Sequence, residues 1–246
     1  MTQRLKDRIA LITGASRGLG AAVALRYAAE GAHVILVART VGGLEEVDDA
    51  IKAVGGSATL VPLDLRQGEG IDRLAAPLAE RFGRLDILVG NAGILGRLTP
   101  LAHYPPEVWA EVFAVNVHAN WRLIRATDPL LRASPAGRVL FVTSGITRHN
   151  TAYWGAYAAS KAALESLALI YAGECATTNV RVNLVNPGPT RTRMRQQAFP
   201  GEDPETLPPP EALTDAFVAL GEVSSTLHGQ WVAADEWAAA QTAKKE

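Results

Sequence analysis

The chain has 246 residues, 48% of them apolar and 20% charged, and 24 basic against 25 acidic side chains leave a formal net charge of -1. That length suits one large α/β core, since single cores stop growing near ~250–300 residues. The near-cancelling charge argues against nucleic acid as a partner, which would need a clustered basic face.

Residues 1–8 are polar and lack an apolar signal core. No apolar run approaches the roughly 18 residues that cross a bilayer. Cys175 is the single cysteine, so no internal disulfide forms. These features point to a chain of the cytosol with no membrane partner.

Short apolar runs at 9–13, 33–37, 58–63, 85–89, 139–143 and 180–185 predict strands, and a last one includes Trp231 and Val232. Most are continuous Val, Ile and Leu, as strands of a parallel sheet covered on both faces must be. Between them lie helix signals. One runs 18–30 and stops at Gly31, another 71–82 and stops at Gly83, both glycine C-caps. Pro106 opens a helix through Trp109, Phe113 and Asn116, a long helix covers 153–176, and another begins near Glu211. The alternation predicts a single-domain, doubly wound α/β fold over 1–246, with about seven mainly parallel strands in three layers. Residues 187–210, rich in Pro, Gly and Arg, break the rhythm after a strand, where open α/β sheets bind ligands; they are expected to form a substrate lid.

Thr13-Gly14-Ala15-Ser16-Arg17-Gly18-Leu19-Gly20 joins the first strand to the first helix. Glycines there let the backbone approach a pyrophosphate, and the helix N-terminus supplies unpaired N–H groups. An NAD site of this kind usually carries a carboxylate at the end of the second strand, but this stretch reads Val37-Ala38-Arg39-Thr40. Arg39 and Arg17 suit a 2′-phosphate instead, so NADP(H) is the expected cofactor and NAD(H) the lesser choice. Asp64-Leu65 and Asn91-Ala92-Gly93 end the third and fourth strands and are expected to line the same site, although Asp64 equally suits a turn cap.

Tyr157 is the one tyrosine of five with a lysine four residues on. On a helix, Tyr157 and Lys161 share a face, and a neighbouring ammonium is expected to lower the phenol's pKa from ~10. A tuned phenol can give a proton to a carbonyl oxygen or take one from an alcohol. Ser144 ends the fifth predicted strand, Asn116 lies on the preceding helix, and Pro187-Gly188-Pro189-Thr190-Arg191-Thr192 follows the sixth.

Together these pieces resemble the short-chain dehydrogenase/reductase family, from residue 9 to about 192: T-G-x-x-x-G-x-G at 13–20, N-A-G at 91–93, Ser144, Y-x-x-x-K at 157–161 and P-G-x-x-x-T at 187–192. The resemblance implies a Rossmann-type domain and a catalytic group of Asn116, Ser144, Tyr157 and Lys161. Ser144 would orient the substrate oxygen, and Tyr157 would be the acid or base. Lys161 would hold the cofactor ribose and depress the Tyr157 pKa. Asn116 would hold a water joining Lys161 to solvent. Pro187, Gly188, Thr190 and Thr192 would fix the nicotinamide end. It further implies a homodimer or homotetramer acting on a small carbonyl or alcohol substrate. The family's aspartate–glycine–glycine ending is replaced here by Gly229–Glu236. The alternatives are a dinucleotide-binding sensor or scaffold, which needs no catalytic group, and an epimerase or dehydratase, for which the chain has little room.

The five histidines show no metal-ligand spacing with one another or with Cys175, so no metal is expected. His149 and Trp154 stand between Ser144 and Tyr157 and are candidates for the substrate pocket or a subunit contact. Arg191, Arg193 and Arg195 read as solvated charges rather than an anion site.

Overall fold

The structure is a computed structural model that describes residues 3–149 and 151–243. Strands β1 (Ile9–Thr13), β2 (His33–Ala38), β3 (Ser57–Pro62), β4 (Ile87–Gly90), β5 (Arg138–Val142), β6 (Arg181–Asn186) and β7 (Trp231–Ala233) form one sheet in the order β3-β2-β1-β4-β5-β6-β7. Every pairing is parallel. Strand order reverses between β1 and β4, where Leu11 lies opposite Leu88 and Ile12 opposite Val89. Such a reversal opens the crevice in which doubly wound folds bind ligands.

Successive strand side chains point to opposite faces, and the core divides accordingly. Ala10, Ile12, Val34, Leu36, Val89 and Leu140 pack on one face with α1 (Gly18–Ala29), α2 (Val41–Ala53) and α9 (Thr214–Gly221). Leu11, Ile35, Leu88, Phe141 and Leu184 pack on the other with α3 (Gly68–Asp72), α4 (Ala75–Phe82), α6 (Ala119–Ala133) and α7 (Gly155–Cys175). The fold is thus the expected three-layer Rossmann arrangement, with α5 (Pro106–Phe113), α8 (Arg193–Ala198) and α10 (Ala234–Ala243) completing its helices.

Several boundaries depart from the sequence reading. The helix expected over 71–82 is two, α3 and α4, because Pro77 has no N–H to reach the Arg73 carbonyl. The helix expected from 153 begins at Gly155, since Tyr153 has φ 74 and lies outside the right-handed region. Asn116 sits not in a regular helix but in a π-turn, Ala114–His118, between α5 and α6. Near Glu211 a 3₁₀ turn, Pro210–Leu213, precedes α9. Gly83 (φ 68) and Gly31 (φ 91) do take the left-handed backbone expected after their helices.

Candidate active site

The ends of β1 and β4 are stitched together by polar groups. Thr13 Oγ1 accepts from the backbone N–H of Asn91 and of Ala92, both at 3.0 Å, and donates to Val89 O at 3.3 Å. That uses all of a hydroxyl's bonding capacity. Asn91 Nδ2 returns a bond to Thr13 O at 2.8 Å. Glycines stand where nothing larger fits: a Cβ on Gly14 (φ 67) would lie 2.9 Å from Asn91 Nδ2, and one on Gly20 would strike the Gly14 carbonyl. A Cβ on Gly18 (φ 55) would meet Thr192 Cγ2 at 3.7 Å, so Thr192 sits over the turn. Ser16 packs against Gly43 near the start of α2, and Leu19 is buried.

At α1 the N-cap is Arg17, whose side chain makes no capping bond, so the first N–H groups face outward without a side-chain acceptor. Arg17 and Arg39 are both exposed, and neither is in an ion pair among the described residues. Asp64 is already engaged: Arg66 grips both of its oxygens and holds the carboxyl below its usual range by hydrogen bonding. Arg66 in turn reaches Glu111 at 2.9 Å. Leu65 is buried beside them. Asp64 therefore fits the turn-cap alternative, its backbone partner being Arg66 N at 3.0 Å.

The second half of the site is built from side chains. Lys161 is 3% exposed, and its Nζ donates to Val142 O at 2.8 Å while lying 5.7 Å from the Tyr157 ring centre. A Cβ on Gly93 would stand 3.5 Å from that Nζ and 3.4 Å from Asn116 Oδ1, so this glycine keeps open the space between the two. Asn116 is fully buried; its Oδ1 accepts from Ile94 N at 2.9 Å, and its Nδ2 donates to Ile94 O and Ser160 Oγ, both at 3.0 Å. The main-chain oxygen of Asn116, in the π-turn, accepts from Asn120 Nδ2 at 2.9 Å and keeps a second lone pair to offer. π-Bulges recur at functional sites.

Burial pushes the Tyr157 phenol up to about 12, with the Ser144 hydrogen bond pulling the other way. The expected net lowering by Lys161 is therefore not what the structure gives. Burial also brings Lys161 down to about 8, opposed by the charge of Glu165. Desolvation penalises the phenolate and the ammonium alike. Ser144 caps the 3₁₀ turn Gly145–Arg148, and Asn186 Oδ1 accepts from Gly145 N at 3.0 Å and Gly188 N at 3.3 Å, joining the ends of β5 and β6.

Beyond Pro187, Gly188 (φ 71) approaches Asp235, and Thr190 and Thr192 hydroxyls bond Gly188 O and Thr190 O. The 187–210 segment is internally bonded: Arg191 pairs with Glu205 at 2.7 Å and Arg195 with Glu202 at 2.6 Å. These pairs neutralise two of its three arginines. Phe199 lies under Arg195 at 3.8 Å and 5.7 Å from Trp154, which packs edge-on to Tyr157 at 6.0 Å. This aromatic link from segment to tyrosine was not legible in the sequence, where Phe199 carries no spacing signal. Glu165 was also missed, although it lies one helical turn beyond Lys161. Among the described residues no cluster of His, Cys, Asp and Glu could hold a metal, and no helix is long and apolar enough to cross a membrane.

A family model described as short chain dehydrogenase matches residues 8–203. The chain belongs to the short-chain dehydrogenase family. This short-chain dehydrogenase is 42% identical to oxidoreductase YciK of Escherichia coli K12 over 88% of its own length and 86% of that protein's. It is 34% identical to an NAD-dependent oxidoreductase of Mycobacterium tuberculosis over 95% and 96% of the two lengths. A short chain dehydrogenase of Shigella flexneri 2a, solved with NADP, superposes with TM-score 0.92 at 39% identity, covering 96% of this chain and all of the other. The protein is an oxidoreductase of this family.

Proposed function

We propose that the protein transfers hydride between NADP(H) and a carbonyl or secondary alcohol, with Tyr157 as acid and base. The observation that carries this reading is the convergence of Tyr157, Lys161, Asn116 and Gly93 on one small space, beside Ser144. A sensor or scaffold would have no use for a buried lysine at that point.

The residues fit the cofactor. Gly14 and Gly20 hold the turn too tight for any Cβ, the uncapped start of α1 offers N–H groups to a pyrophosphate, and the exposed Arg17 and Arg39 suit a 2′-phosphate. Asn91, Ala92, Gly93, Pro187, Gly188, Thr190 and Thr192 would hold its nicotinamide half. When bound, NADPH supplies the hydride. Ser144 and Tyr157 hold the substrate oxygen between them. With its pKa near 12, Tyr157 keeps its proton at neutral pH and is suited to donate it during reduction. Lys161 stabilises the phenolate left behind, and Asn116 oxygens hold the water through which the proton returns. The 187–210 segment closes the pocket through Phe199 and Trp154. Trp121 on α6 and Leu169 and Ile170 on α7 are exposed apolar side chains that a second copy would cover, which supports a homodimer or homotetramer.

The test is a panel of aldehydes, ketones, quinones and acyl thioesters with NADPH oxidation followed by absorbance. At least one class should accelerate oxidation. If no carbonyl compound does so, and no alcohol reduces NADP, the reading fails.

A further inference from the structure

Glu165 lies on α7 at the positions that continue Tyr157 and Lys161, four residues apart each time, and its side chain is 12% exposed. Such spacing keeps all three on one helix face. Glu165 Oε1 accepts from Thr143 Oγ1 at 2.6 Å, Thr147 Oγ1 at 2.9 Å and Trp231 Nε1 at 3.1 Å. Thr143 immediately precedes Ser144, and the Thr147 hydroxyl is also 3.0 Å from Ser144 O. One carboxylate oxygen thus gathers donors from the end of β5, the 3₁₀ turn and β7. No part of the proposed proton transfer uses it.

We propose that Glu165 is a positioning residue of this site: its carboxylate clamps the 143–147 segment that carries Ser144 and sets a negative charge one helical turn from Lys161. The proposal rests on the reading of Tyr157 and Lys161 given above. Burial alone drives the Lys161 ammonium toward its neutral form, and Glu165 is the charge that opposes this. Of the groups facing Glu165 from elements packed on α7, Arg148 of the 3₁₀ turn is charged, at 4.0 Å from Oε2, whereas Thr143 and Trp231 are not. Arg148 also lies 5.2 Å over the Trp231 ring. Lys161 is faced by Tyr157 along its own helix and by the neutral Asn116 from the π-turn. Glu165 therefore links two side chains that have no direct bond: it holds the segment that carries one and opposes the effect of burial on the other.

The chain has five lysines, so Lys161 can be resolved by NMR of isotope-labelled lysine side chains across a pH titration, its signal assigned as the one lost in Lys161→Met. In the full-length protein, Glu165→Gln should lower the Lys161 midpoint by roughly one unit, the low end of what a nearby opposite charge does. Glu165→Asp, which keeps the charge but withdraws it, should move it part of the way and serves where the Gln variant does not fold. Thr143→Val should leave the midpoint in place while lowering turnover several-fold. An unmoved midpoint in Glu165→Gln or Glu165→Asp overturns the proposal, as does an equal shift in Thr143→Val. Undiminished turnover in Tyr157→Phe would instead overturn the underlying reading of the site, and that result is independent of where Lys161 titrates.

Discussion

The two halves of the site are built from different materials. Around β1 and β4 the working surface is backbone: Gly14, Gly20 and the Thr13–Asn91 bonds bring the main chain together too closely to admit a side chain. Around β5 and α7 it is side chains: Tyr157, Lys161 and Asn116 are buried, and desolvation disfavours the phenolate and the ammonium, the latter opposed by the charge of Glu165. The first half fails by steric overlap. The second fails by a shift in protonation, with the fold left standing.

The largest effect after Tyr157→Phe should therefore come from crowding the glycine turn. Gly20→Ala places a methyl against the Gly14 carbonyl and should cost about 1–3 kcal/mol of stability by overpacking, measured by denaturant unfolding. NADPH affinity, measured by calorimetry, should fall at least roughly tenfold, or about 1.4 kcal/mol. An unaltered affinity would break the contrast, since the backbone would then tolerate what its geometry forbids. Next in size is the charge at the rim. Ala38→Asp combined with Arg39→Ala would remove the charge-assisted bond proposed between Arg39 and a 2′-phosphate, worth about 1.5–3 kcal/mol, and add a repelling carboxylate. The ratio of kcat/KM for NADPH over NADH should drop by roughly 10–100-fold.

How much of this was readable beforehand follows the same division. The glycine turn, the missing carboxylate at Ala38-Arg39 and the Tyr157–Lys161 spacing are local, so sequence order reveals them. So are most strands, because a buried parallel strand is a continuous apolar run. The π-turn at Asn116 is not: Val115, Asn116, Val117 and His118 are weak helix formers, but low propensity does not say where one extra residue enters a helical turn. Nor is the Glu165 cluster: its partners Thr143 and Trp231 are 22 and 66 residues away, and only the β5–β6–β7 register brings them together. The expected lowering of the Tyr157 pKa considered the neighbouring charge but not the burial, which is a property of the packed layers.

A smaller effect sharpens the electrostatic half. Lys161 titrates at about 8 in the fold against an ordinary 10.5. Between these values the unfolded chain keeps a proton that the native chain has lost, so stability rises with pH across that window, at up to about 1.4 kcal/mol per unit. Lys161→Met should lack this rise, and the difference between the two unfolding curves at pH 8 and pH 10 isolates it. Smallest of all is Phe199→Ala, which removes the contact with Trp154; KM should rise about threefold, roughly 0.7 kcal/mol of binding, with kcat little changed.

The central claim is that Tyr157 moves the proton and the rest of the site holds the cofactor without it. Tyr157→Phe separates the two most directly, with NADPH affinity measured by calorimetry and turnover measured on the same preparation. The account predicts affinity within about twofold of wild type and turnover lower by about 10³ or more, some 4 kcal/mol of transition-state stabilisation. Turnover equal to wild type at unchanged affinity would contradict it.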